Sequence, residues 1–137
     1  MKTPQIPKLR LGNLELPVPI VQGGMGVGIS LSGLASAVAS AGGIGVISTA
    51  GIGMLEPDFN NNFKEANARA LRREIRKARQ LTKGVIGVNV MVALSDYYEL
   101  LEIAAEEGAD IAFVGAGLPL KLPPSLVPDG SGKNLMK

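Results

Sequence analysis

The 137-residue sequence contains no cysteine and no histidine. The first absence excludes disulfides and thiolate chemistry. The second excludes a Ser-His-Asp triad, a His-ligated metal and a histidine general base built from this chain. An excess of one charge is also missing. Fourteen Lys and Arg stand against twelve Asp and Glu, a formal net charge of +2, which offers nothing to nucleic acid in particular. Between residues 16 and 55 there is no charged residue at all. A span of that length invites a membrane helix, but Pro17, Pro19 and ten glycines interrupt it, and its longest stretch free of both residues runs only from Leu34 to Ala41. Roughly 18 uninterrupted apolar residues are needed to cross a bilayer, so the span reads as a buried strand–helix–strand unit and no membrane partner is expected. Met1 to Arg10 has no apolar core of a secretory signal, which makes the cytoplasm the expected location.

What is present suits a folded core. Hydrophobic residues make up 46% and charged residues 19%, a balance that buries apolar surface rather than leaving a disordered chain. The 18 glycines and 9 prolines gather at the ends of the apparent elements. Leu9 to Leu16 alternates around Gly12-Asn13 and suggests a short hairpin plugging the bottom of a barrel. Val18 to Gln22 is a short apolar run fit for a buried strand. Ser30 or Ser32 is a candidate cap for a helix whose Leu31, Leu34, Ala35, Val38 and Ala39 follow helical spacing, with Gly42-Gly43 as its stop. Ile44 to Ile47 forms the next strand. A long loop with three consecutive asparagines leads to a helix over Phe63 to Lys83. That helix carries eight basic residues (Lys64, Arg69, Arg72, Arg73, Arg76, Lys77, Arg79, Lys83) against Glu65 and Glu74. A solvated outer face is favoured over a polyanion site, because runs of charge usually face water. Val85 to Val92 is a further strand. Ser95 is placed to cap a helix presenting Tyr97, Leu100, Leu101 and Ala104, and Asp110 to Val114 closes the series.

The order β-α-β-α-β-α-β with continuously apolar strands implies a parallel sheet covered on both faces. A doubly wound open sheet and a (β/α)₈ TIM barrel compete. A whole barrel takes about 250 residues, and nothing after Pro119 reads as a fifth unit. Residues 1–122 are therefore expected to form the N-terminal half of a barrel, with about four parallel strands and interleaved helices, and residues 123–137 a loose tail.

Function in parallel α/β folds sits at the C-terminal ends of the strands. That rule selects Gln22-Gly23-Gly24-Met25, Ser48-Thr49-Ala50-Gly51, Asn89-Val90-Met91 and Gly115-Ala116-Gly117. Small residues there let a flat ligand approach the backbone. Asn89 is an amide inside a run of Val, Ile and Met, so it needs a hydrogen-bond partner. A ligand or a neighbouring loop would serve equally. Gly23-Gly24-x-Gly26-x-Gly28 lacks the dinucleotide spacing and the acidic residue about 20 positions on, which disfavours a nicotinamide site. Met25, taken alone, reads more readily as core filler than as a wall for a ring.

Pro19-Ile20-Val21-Gln22-Gly23-Gly24-Met25, then Ala41-Gly42-Gly43-Ile44-Gly45-Val46-Ile47, then Gly87-Val88-Asn89-Val90-Met91, resembles the nitronate monooxygenases (formerly 2-nitropropane dioxygenases), in order and spacing as well as in wording. The same family includes flavin-dependent enoyl-acyl-carrier-protein reductases. The likeness covers about residues 8 to 122, and Gly115-Ala116-Gly117-Leu118-Pro119 looks more like the monooxygenase branch. The resemblance implies a TIM barrel with FMN at the strand ends. Gln22, Gly23, Gly24 and Met25 would line the flavin ring, Asn89 would hydrogen-bond it, and Gly115, Ala116 and Gly117 would border a small-molecule substrate. It further implies oxidation of alkyl nitronates with O₂ to carbonyl compounds and nitrite, with enoyl reduction as the alternative. The family's later histidine and the glycine-rich loops that hold the FMN phosphate have no counterpart here, and no catalytic residue is assigned. An inactive half-barrel that self-associates through its open sheet edges is the third alternative.

Overall fold

The computed structural model describes residues 6–126. A two-stranded antiparallel hairpin, β1 (Leu9–Leu11) and β2 (Leu14–Leu16), opens it. Gly12 supplies the turn at φ +53°, a left-handed conformation that costs glycine nothing. Then follow α1 (Ser32–Ser40), β3 (Ile44–Ser48), α2 (Phe63–Leu81), β4 (Val85–Met91), α3 (Tyr97–Glu106) and β5 (Ile111–Gly115). The strands β3, β4 and β5 form one parallel sheet in that order, with Val46 opposite Gly87 and Asn89 opposite Phe113.

The expected first strand, Val18 to Gln22, is reduced to a single parallel bridge between Val21 and Ile44. Pro19 removes one of its donors and Pro17 another just before it, since proline carries no N–H. The N–H groups of Val18 and Gln22 still reach Gly42 and Ile44, and Ile44 donates back to Ile20 at 2.9 Å. Beyond Gln22 the ladder continues through a side chain. The Gln22 amide accepts from the Val46 N–H at 3.2 Å and donates to the Val46 carbonyl at 3.1 Å, so it takes the place of the next peptide unit.

Alternation along the strands divides the core in two. Ile47, Ile86, Val88, Val90 and Ala112 face outward into the main cluster with Ala35, Leu71, Ile75, Leu100 and Leu101 of the helices. Ile44, Val46 and Ile111 face inward and meet Leu16, with Leu9, Leu11, Leu14, Val85 and Phe113 packed around them. The hairpin thus covers the inner face of the sheet, as its position in the sequence suggested.

Helix entry differs from the expected capping. The cap position of α1 is Leu31, and no side chain of α1, α2 or α3 caps its own helix. For α1 the role is filled from α2. Buried Glu74 accepts from the Ser32 N–H at 3.1 Å and from the Ser32 hydroxyl at 2.5 Å. A carboxylate at that end is favoured by the helix dipole. Ser30, the other candidate, lies in the preceding loop, and α3 begins after Asp96 rather than Ser95.

The arginines of α2 form an ion-pair belt. Arg72 and Arg76 bind Glu107 of the α3 terminus, Arg73 binds Glu56, Arg69 binds Asp58 and Arg79 binds Asp110. The Arg76 hydrogen bond, with Arg72 behind it, holds the Glu107 carboxyl below its usual range. The open groove of about 500 Å³ between Arg69 and Gln80 is the outer surface of this belt and shares no lining residue with the hollows at the strand ends. Past β5, Pro124–Leu126 forms a 3₁₀ turn whose Leu126 is buried in the main cluster. The rest of the expected tail, residues 127–137, lies outside the described residues.

Candidate functional site

The inner face at the C-terminal end of the sheet carries Ser48, Asn89 and Phe113 side by side, because Ser48 is in register with Asn89 and Asn89 with Phe113. Gly87 lies one inward position below Asn89, and a Cβ there would stand 2.7 Å from the Phe113 ring. The missing side chain is what lets that ring lie across the strand. Asn89 donates from Nδ2 to the Phe113 carbonyl at 3.3 Å. Its own carbonyl accepts from the N–H and hydroxyl of Thr49 at 3.1 and 3.0 Å. The Ser48 hydroxyl is buried with no hydrogen-bond partner among the described residues. Buried polar atoms are rarely left so, and this one sits next to Asn89.

The glycine loop after Gln22 folds over this row. A Cβ on Gly24 would come 2.8 Å from the Asn89 Cβ, whereas nothing lies within 4 Å of the corresponding point on Gly23. Gly24 is therefore packed down on Asn89, while the space beside Gly23 is open. Two hollows meet here. One, of about 210 Å³, is lined by Val21, Gln22, Gly23, Gly24, Val46, Asn89 and Phe113. The other, of about 370 Å³, runs along β5 and takes in Leu11, Asn89 and the whole strand from Ile111 to Gly115. Asn89 and Phe113 border both.

Of the residues selected from the sequence, Gln22, Gly23, Gly24 and Asn89 come together around one hollow, and Gly115 lines its neighbour. Met25 lines neither and is 59% exposed. Ala116 and Gly117 are exposed beyond the strand end, at φ +55° and +141°. Ser48, which the strand-end rule selected, stands beside Asn89, whereas Phe113 and Val46 were not selected. The signal for Phe113 was its place two residues before Gly115, the same face of an alternating strand. No Lys or Arg lines either hollow. The arrangement suits a flat, largely apolar ring with an amide at its edge, and it offers no anchor for a phosphate.

Strain marks the same loop. Val27 has φ +50°, a conformation that is a true outlier for a β-branched residue. It is held by a 2.8 Å bond from its N–H to the Ala50 carbonyl. The side chain is 62% exposed, so little packing would be lost on truncation. Val27→Gly is expected to raise stability by about 1 kcal/mol, the released strain exceeding glycine's extra unfolded-state entropy. Urea unfolding reads this as a higher midpoint, and an unchanged or lower midpoint would refute the strain.

Residues 9–115 match the family described as nitronate monooxygenase. Among solved structures, the chain is similar to FabK from Thermotoga maritima at 32% identity and a TM-score of 0.54, over 75% of this chain and 29% of that one. It is similar to a FabK point mutant from the same organism at 28% identity and a TM-score of 0.54, over 77% and 30%. The chain thus spans less than a third of these relatives' length. No curated protein matches it.

Proposed function

This chain belongs to the nitronate monooxygenase family, and on that footing we propose that it supplies the ring-facing part of the site of an FMN-dependent oxidoreductase. The observation that carries the reading is the meeting of Gln22, Gly23, Gly24 and Asn89 at one hollow on the strand ends. When bound, the flavin supplies the electron transfer, which no side chain of this sequence can perform. The protein's part is placement. Gly23 leaves room for a ring to lie against the backbone, and Gly24 seats the loop on Asn89. The Asn89 amide is the hydrogen-bonding edge of the hollow, and Phe113 and Val46 form apolar walls that keep water from the ring. Phosphate binding falls to residues other than those lining these hollows.

The substrate reading is a nitronate oxidised with O₂. Gly115, which borders the larger hollow with nothing near the point where a Cβ would stand, supports it by leaving space for a small molecule beside Asn89. Similarity to FabK supports the second reading, reduction of an enoyl thioester on the same flavin. Titration with FMN, followed by flavin fluorescence, tests the shared part. Saturable binding is expected, and Asn89→Ala should weaken it by about tenfold, near 1.4 kcal/mol for a ring-directed hydrogen bond. Equal binding by wild type and variant would remove Asn89 from the site. O₂ consumption on adding a nitronate, against NAD(P)H oxidation on adding an enoyl thioester, separates the two substrates.

A further inference from the structure

The loop from Gln22 to Met25 contains two glycines in succession, and a free loop of that composition would sample many conformations. Here it is held by one buried hydroxyl. Ser30 is 1% exposed. Its Oγ accepts from the Met25 N–H at 2.9 Å and from the Gln22 amide at 3.1 Å, and it donates toward the Gly23 carbonyl at 3.4 Å. The Ser30 backbone closes the same circuit. Its N–H donates to the Met25 carbonyl at 2.9 Å, and its carbonyl accepts from the Ser48 N–H at 3.0 Å. One residue therefore ties the end of the first strand segment, both ends of the glycine pair and the end of β3.

We propose that Ser30 is a positioning residue that fixes the Gln22–Met25 loop over Asn89 in the shape the flavin ring meets. The proposal rests on the functional reading above for its ligand, but not for its geometry. Ser30 lines neither hollow and acts only through the loop. The other side chain that bonds across the loop is Gln22 itself, whose amide also donates toward the Gly23 carbonyl at 3.5 Å. Its shorter bonds go to Val46 and Ser30, and the glycines contribute no side chain. Without the hydroxyl, the Met25 N–H and the Gln22 amide each lose an acceptor, and the Gly23–Gly24 peptides regain their freedom.

Ser36 provides a matched control. It is also buried, at 6% exposure, but its hydroxyl only bonds the Gly33 carbonyl within its own helix. Two measurements on the full chain test the proposal. The first is amide hydrogen exchange. In the wild type the Met25 N–H is expected to exchange slowly although Met25 is 59% exposed. In Ser30→Ala it should speed at least tenfold relative to the Val88 N–H of the core, and in Ser36→Ala it should not. The second is FMN titration at matched folded fraction, where S30A should bind at least tenfold more weakly than S36A and show an altered flavin absorption band.

An unprotected Met25 amide in the wild type would overturn the proposal even if S30A fails to fold. So would an unchanged Met25-to-Val88 exchange ratio in S30A, or FMN affinity in S30A equal to that of S36A. Failure of the wild type to bind FMN would instead remove the functional reading, and the exchange ratio would then decide whether Ser30 holds the loop.

Discussion

Gly45→Ala is expected to destabilise the chain by roughly 3 kcal/mol or more, because its added Cβ would make the closest approach of any described glycine. Gly45 lies in β3 with its open side against α1. A Cβ there would overlap the carbonyl oxygen of Ala35 and stand 2.5 Å from its carbonyl carbon. The obstacle is helix backbone, which cannot turn aside as a flexible side chain would. The helix must move off the sheet, and tightly packed cores yield to such displacement only at high cost. Gly33 provides the opposite sign. It sits in α1 with nothing within 4 Å of its missing Cβ, so Gly33→Ala should stabilise by about 0.5 kcal/mol through helix propensity alone. Urea denaturation of the two variants should move the midpoint in opposite directions. A Gly45→Ala midpoint within error of the wild type would mean that α1 does not press on β3 as described.

Glu74→Ala should cost about 2–3 kcal/mol, because it leaves the Ser32 N–H and hydroxyl buried without an acceptor. Glu74→Gln keeps the shape and loses only the charge, so a smaller loss, about 1 kcal/mol, is expected. The pH dependence follows from the direction of the shift. Burial by itself would raise the Glu74 pKa, but the Ser32 hydroxyl and N–H, with Arg73 and Lys77 nearby, outweigh it and hold the carboxyl below its ordinary value of 4.5. A carboxylate held low in the folded state contributes stability above its unfolded pKa and loses it as pH falls through the folded value. The wild-type advantage over E74Q should therefore be constant near neutrality and shrink as pH drops below about 4.5. Glu107 is shifted in the same direction, but it is present in both proteins, so the difference isolates Glu74. A gap that widened in acid would reverse the assignment.

The elements that announced themselves in the sequence were those with an unbroken pattern. β3, β4 and β5 were legible as continuous apolar runs between glycine stops. The helix beginning at Phe63 was legible from its spacing and charge, and the solvated reading of its arginines agrees with the ion pairs they make. What local pattern could not give was long-range replacement of one group by another. The α1 entrance looked like a serine cap, yet its acceptor comes from Glu74, 42 residues on. The first strand looked like an ordinary strand, yet its last rung is the Gln22 side chain. Within the site, Gln22, Gly23, Gly24 and Asn89 were visible because their residue types are odd for their positions. Ser30 was visible only as a cap candidate. Its hydroxyl is spent on Gln22, Gly23 and Met25, a choice made by the tertiary fold of the loop. Phe113 escaped because an aromatic in an apolar strand is unremarkable until the register sets it beside Asn89.

The strand β4 carries two populations of residues in strict alternation. Ile86, Val88 and Val90 are fully buried against the helices, while Gly87, Asn89 and Met91 point to the other face, where Gly87 meets the Phe113 ring and Asn89 borders the hollows. Neighbours in sequence thus meet different surroundings. A larger side chain at an even position meets the helices, whereas one at an odd position meets the hairpin, the Phe113 ring or the hollows. A substitution at residue 89 would therefore reshape both hollows without entering the core that the helices cover.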